Sequence, residues 1–149
     1  MSDFTTPTTR AEFAQLAVIL YEYLSGREIA IDRSIAFSDT DDDYVHKAAT
    51  IGVVTGVGGN RFDPDSQLTR EQAATMLYRL ADATGNSLPN VAPTFADNAS
   101  IASWAITGVG KVQAAQIMGG IGNNLFSPQG SYTREQSIVT ILRLLVYIR

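Results

Sequence analysis

Apolar residues recur at helical spacing in three long stretches: Phe13, Leu16, Ala17, Leu20 and Leu24; Ala73, Leu77, Leu80 and Ala81; Ile138, Ile141, Leu142 and Leu145. A face repeating every three to four residues predicts three amphipathic helices. Each stretch opens with the same phrase: Thr9-Arg10-Ala11-Glu12, Thr69-Arg70-Glu71-Gln72 and Thr133-Arg134-Glu135-Gln136. Thr followed three residues later by Glu or Gln is the capping-box pattern, in which two side chains satisfy backbone N–H groups at a helix start. Two shorter stretches, Val45, Ala48, Ile51, Val53 and Val109, Val112, Ala115, Ile117, predict a short helix ahead of the second and third long ones. Each short helix is followed by a glycine-rich turn, Gly56-Val57-Gly58-Gly59-Asn60 or Gly120-Ile121-Gly122-Asn123-Asn124. Glycines supply the positive-φ positions that a reversal needs. Next come Phe62-Asp63-Pro64 and Phe126-Ser127-Pro128. The proline pushes the residue before it out of the α region, so this segment is extended. Phe62 and Phe126 are expected to plug the gap between the two helices of a unit.

These landmarks keep step with one another. Phe37-Ser38-Asp39 returns as Phe95-Ala96-Asp97, and seven residues separate Phe62 from Thr69 and Phe126 from Thr133. Self-similarity over about 60 residues marks a repeat architecture whose units cannot each bury a core alone. The chain reads as a single domain over 1–149, made of the second half of a first repeat (8–30), a second repeat (37–84) and a third (95–149). Linkers fall near 25–33 and 85–93. The third repeat carries Trp104-Ala105 at the start of its short helix, where the second has Thr40-Asp41 in an acidic loop. The second short helix is therefore expected to begin a turn later, near Tyr44. The first long helix lacks its own unit's short helix, so its apolar residues predict an uncovered patch over 9–24 that favours pairing with a second copy.

Composition narrows the function. At 149 residues, 45% apolar and 17% charged, the chain is that of an ordinary soluble globular protein. With no cysteine, disulfides and thiolate chemistry are excluded. A formal charge of −4 argues against non-specific nucleic-acid binding. No apolar run approaches the length of about 18 residues that a membrane helix needs. The opening Met1-Ser2-Asp3-Phe4 shows no signal peptide, and the chain reads as a piece of something longer. Asp39-x-Asp41-x-Asp43 lacks the glycine and closing glutamate of a calcium loop. One histidine, His46, without cysteine builds no ordinary zinc site, and no Gly-x-Ser-x-Gly elbow exists. Neither catalysis, a metal nor a cofactor is expected. The unusual residue is the arginine. In a helix first turn a cation is mildly unfavourable, by roughly 0.3–1 kcal/mol, so Arg10, Arg70 and Arg134 suggest three places to hold an anion or three salt bridges that lock repeats together.

Phe-x-Asp, Trp-Ala, the glycine turn, Phe-x-Pro and Thr-Arg-Glu, in this order and spacing, resemble the S-layer homology family. The resemblance implies an all-α fold in which helix–loop–helix units take a pseudo-threefold arrangement around a central helical bundle. It implies a non-catalytic module at the bacterial cell surface or cell wall, extracellular, which binds a secondary cell-wall polysaccharide bearing pyruvylated sugar. An arginine fork suits the ketal carboxylate. By position the implied ligand residues are Arg10, Arg70, Arg134, Asp39, Asp97 and Trp104, with backbone donors at Gly58-Gly59 and Gly122-Asn123. Other roles stay open: Asp39 and Asp97 as caps of the following short helix, Trp104 as a core or repeat-interface residue. The alternative function is a protein-interaction or self-assembly module of an exported protein.

Overall fold

The computed structural model describes residues 4–149. Among them the fold is all-α, with five α-helices: α1 (Arg10–Ser25), α2 (Asp43–Thr50), α3 (Arg70–Ala83), α4 (Ile106–Ala114) and α5 (Arg134–Ile148). Two 3₁₀ turns, Asn98–Ser100 and Ser103–Ala105, lead into α4. All three long helices start where the Thr-Arg phrases place them. Thr9, Thr69 and Thr133 are the N-caps, each accepting from the N–H three residues on, and Glu12, Gln72 and Gln136 close the capping boxes. Asp42 caps α2 by accepting from Tyr44 N–H at 2.8 Å, so this helix begins one residue ahead of Tyr44.

The capping box leaves the first two backbone N–H groups of each long helix unsatisfied. The extended segments supply the missing acceptors in a three-membered cycle. Arg10 and Ala11 N–H donate to Ser66 and Pro64 O at 2.9 and 3.0 Å. Arg70 and Glu71 donate to Gly130 and Pro128 O at 3.1 and 2.9 Å, and Arg134 and Glu135 to Thr6 and Phe4 O at 3.0 and 2.9 Å. Residues 4–6 thus stand where the second and third repeats put 64–66 and 128–130.

The three long helices touch one another pairwise, and each short helix packs on the long helix of the preceding repeat: α2 on α1, α4 on α3. The α2–α1 contact is pinned by Lys47, whose Nζ donates to Glu22 Oε2 at 2.9 Å. In α4, a Cβ at Gly108 would meet Thr75 Cα of α3 at 3.0 Å, so glycine sets that close approach. The neighbours of Phe62 and Phe126 follow the same pairing: each ring lies under an arginine of the preceding long helix and beside its own repeat's first phenylalanine. Phe13 and Leu20 are buried, Phe13 with its ring edge-on to Tyr132 of the third repeat, and Leu16 and Leu24 pack against the core. The four residues expected to form a patch over 9–24 are thus covered; α1 leaves Ile19 and Tyr23 exposed, and the larger exposed apolar set is on α5, at Ile138, Val139, Leu142, Val146 and Tyr147.

Candidate functional site

A helix N-terminus holds an anion through free backbone N–H groups. Here the first two are bonded to the neighbouring extended segment and the third to the capping threonine. The helix starts are not anion sites in themselves, contrary to the reading from sequence. The arginines are also differently employed. Arg10 is 6% exposed; its Nε donates to Phe62 O and its Nη2 to Thr55 O, both at 2.9 Å. Arg70 is 5% exposed and repeats the arrangement on Phe126 O at 2.8 Å and Gly119 O at 2.6 Å. Each guanidinium lies over a phenyl ring, 4.6 Å from the Phe62 centroid and 4.9 Å from that of Phe126. One fork thus ties a long helix to the glycine turn and extended segment of the next repeat.

Burial lowers the pKa of Arg10, with Asp63 and Asp39 pulling it back, and that of Arg70, with Tyr132 and Asp97 pulling it back. An arginine stays charged throughout, so this burial is felt as a demand for nearby negative charge. No carboxylate bonds to either guanidinium among the described residues, and Nη1 of each is without a hydrogen bond there.

Asp39 and Asp97 do not cap the short helices. Asp39 Oδ1 and Oδ2 accept from Phe62 and Asp63 N–H at 2.9 and 2.8 Å; Asp97 accepts from Phe126 and Ser127 N–H, both at 2.9 Å. Each carboxylate clamps the peptide whose carbonyl receives the arginine. The N–H of Phe62 holds Asp39 below the ordinary carboxylate range; for Asp97 desolvation pushes upward, but the N–H groups of Phe126 and Ser127 overcome it. The turn itself is packed tight. A Cβ at Gly56 would stand 2.9 Å from Arg61 O and 3.2 Å from the Phe37 ring, and at Gly120 2.7 Å from Leu125 O and 3.2 Å from the Phe95 ring.

These locked units frame two matching grooves. The first, about 540 Å³, is lined by Arg10, Thr55, Gly56, Gln72, Arg79 and Trp104 among others. The second, about 600 Å³, is lined at the equivalent positions by Arg70, Gly119, Gly120, Gln136 and Arg143. Trp104 is 56% exposed, so it is not a core residue. It comes from the third repeat yet serves the groove made with the second repeat's turn. Glu71 sets its place by accepting from Ala102 N–H at 2.9 Å, just ahead of the 3₁₀ turn that carries it. Gly59 and Gly122 sit exposed at the turn tips and line neither groove; the lining comes from residues 55–57 and 118–121, just ahead of them. Arg79 and Arg143 escaped the sequence reading. Each lies nine residues after the arginine of its Thr-Arg phrase, and aligning the three long helices would have exposed them.

The third copy departs from this pattern. Arg134 donates through Nη2 to Glu12 Oε2 at 2.6 Å, and its Nε is buried with no partner among the described residues. The cavity beside it, about 310 Å³, has Glu12 where the others have glutamine and Ile19 where they have arginine. Arg134 is therefore paired and its groove largely apolar.

Comparison with known proteins fits this repeat architecture. The chain is 29% identical over 139 residues to an amylopullulanase of Thermoanaerobacterium thermosulfurigenes, covering 92% of this chain and 7% of that protein. It is 32% identical over 92 residues to an S-layer protein of Bacillus thuringiensis subsp. finitimus, covering 62% of this chain and 11% of that one. The chain thus spans a small fraction of these relatives. No helix among the described residues is long and apolar enough to cross a membrane. The S-layer homology domain, generally a cell-wall anchoring module, matches residues 37–74 and 94–136, the stretches that carry both glycine turns and their aspartate clamps, and the chain belongs to that family.

Proposed function

We propose that this chain is a non-catalytic anchor that holds an anionic, pyruvylated cell-wall polysaccharide in the two grooves headed by Arg10 and Arg70, at the bacterial cell surface. The carrying observation is the match between the grooves: a desolvated guanidinium, a glutamine and a second arginine recur at equivalent positions in both. In each, Arg79 or Arg143 is the cation open to a ligand, since neither has a carboxylate partner among the described residues and Arg143 makes only a long contact to Ile117 O, at 3.5 Å. A ketal carboxylate placed between this arginine and Nη1 of Arg10 or Arg70 meets charge-assisted donors on both sides. Gln72 and Gln136 offer amide N–H groups to sugar hydroxyls, because their Oε1 is taken by the capping box. Trp104 gives the first groove an exposed aromatic face for a sugar ring. Asp39 and Asp97 act behind the grooves by fixing the turn, and Arg134, neutralised by Glu12, contributes no site. Two weak sites on one polymer gain avidity through effective concentration.

Calorimetric titration with a pyruvylated disaccharide of the wall polymer tests this. Two sites per chain are expected, and none for the same sugar lacking its ketal. Equal binding of both sugars would refute the carboxylate reading.

A further inference from the structure

The first groove draws on all three repeats. Arg10 comes from the first, Thr55, Gly56, Gln72 and Arg79 from the second, and Trp104 from the third. The tryptophan is 56% exposed, and its indole N–H makes no hydrogen bond among the described residues. Its orientation is therefore inherited from the backbone of the 3₁₀ turn Ser103–Ala105. That turn is closed by Ala105 N–H donating to Ala102 O at 2.8 Å, with Ile101 and Ala105 buried on either side of the ring. Its N-cap is Ala102, whose methyl group offers no acceptor.

Glu71 supplies the tie that the alanine cannot. Its Oε1 accepts from Ala102 N–H at 2.9 Å. A glutamate in a helix first turn is favoured by the macrodipole while it stays at the surface, and Glu135, at the same place in the next phrase, is exposed. Glu71 is 4% exposed. Withdrawing a carboxylate from water has a cost that the dipole does not require, and the bond it gains in exchange goes to the turn carrying Trp104. Its own N–H donates to Pro128 O at 2.9 Å, so main chain and side chain both fasten Glu71 to the third repeat.

We propose that Glu71 is a positioning residue for carbohydrate: through Ala102 N–H it holds Trp104 at the Arg10 groove as a ready platform for the apolar C–H face of a sugar ring. This makes the Arg10 groove the tighter of the two. The inference rests on the anchoring reading above. A platform fixed before binding has less side-chain freedom to lose when the sugar arrives. The second groove's lining has no such platform, since its aromatic residue, Tyr132, is fully buried.

Trp104 is the sole tryptophan, so its fluorescence reports the first groove alone. Anisotropy of the free protein reads how firmly the ring is held. Titration with the pyruvylated disaccharide, by fluorescence and calorimetry, reads the two sites. Glu71→Gln keeps an acceptor for Ala102 N–H and should behave like wild type. Glu71→Ala should lower the anisotropy and weaken the fluorescent site about tenfold, with the second site unchanged. Ala102→Pro should give the same result with Glu71 still in place. Ala102 stands at φ −60° after an extended Ile101, a backbone that accepts proline, so only the N–H is lost. Unchanged anisotropy and affinity in Glu71→Ala and Ala102→Pro would overturn the proposal. So would a loss in Glu71→Gln as large as that in Glu71→Ala, because charge rather than the tie would then matter. A wild-type chain that binds no ketal sugar, while anisotropy falls in both variants, fails the anchoring reading and removes the carbohydrate role with it, although the tie stands.

Discussion

Replacing Arg70 by alanine should damage the fold far more than the same change at Arg134, although both open identical phrases in the sequence. Arg70 is 5% exposed and makes two charge-assisted hydrogen bonds, to Phe126 O and Gly119 O. Bonds of this type contribute about 1.5–3 kcal/mol each, and the guanidinium over Phe126 adds about 1 kcal/mol. Relief from burying the cation offsets part of this, leaving a net loss of about 3–5 kcal/mol, the range for breaking a buried charged network. Arg134 makes one ion pair with Glu12, with side chains 35% and 37% exposed. A half-exposed pair contributes at most about 1 kcal/mol, and the unpaired Nε disappears with the side chain. For a domain of this size each kcal/mol moves Tm by roughly 2–4 °C. Arg70→Ala should therefore fall by about 10 °C and Arg134→Ala by about 2 °C, with Arg10→Ala resembling Arg70→Ala. Thermal and urea unfolding followed by circular dichroism, with unchanged m-values, reads the difference. Equal losses at the three arginines would refute the assignment of Arg10 and Arg70 as pins between repeats.

Other perturbations separate the remaining roles. Asp39 and Asp97 have depressed pKa values in the fold. Their stabilisation is therefore full above the unfolded value of about 4 and is lost as pH falls through the lower folded values. Urea midpoints of the wild type should drop between pH 5 and pH 2 (approximate bounds), and Asp39→Asn with Asp97→Asn should flatten that dependence. Gly120→Ala forces a Cβ to 2.7 Å from Leu125 O and should cost about 1–3 kcal/mol. Gly119→Ala, with open space at its Cβ, should unfold within about 0.5 kcal/mol of wild type. Trp104→Ala should leave Tm within about 2 °C of wild type while weakening polysaccharide binding, since the side chain is 56% exposed.

Local signals were legible in the chain and pairwise geometry was not. The three capping boxes gave the starts of α1, α3 and α5, because a cap is a contact between residues three apart. The all-α fold and the repeat landmarks followed from periodicity and spacing. Which long helix each short one covers is decided by long-range packing, so the residues expected to form a patch on α1 are covered and the larger exposed apolar set stands on α5. For Asp39 and Asp97 the sequence offered a ligand role or a helix cap, because the N–H groups that donate to them lie 23 to 30 residues away. The helix starts looked free to bind anions because the sequence does not reveal that segments 64–66, 128–130 and 4–6 occupy them. That Trp104 lines the groove made with the second repeat's turn was hidden for the same reason. Arg79 and Arg143 sit on mid-helix positions with no motif around them, and only their recurrence marks them.

The anchoring claim meets its most direct test in the binding of this chain to purified cell-wall sacculi, before and after mild acid removes the pyruvate ketals. Arg79→Gln with Arg143→Gln should run alongside, because these changes leave the buried pins intact. Binding that disappears both with the ketals and with the double variant, while Tm holds, is the predicted result. Undiminished binding of the double variant to ketal-free sacculi would contradict the account.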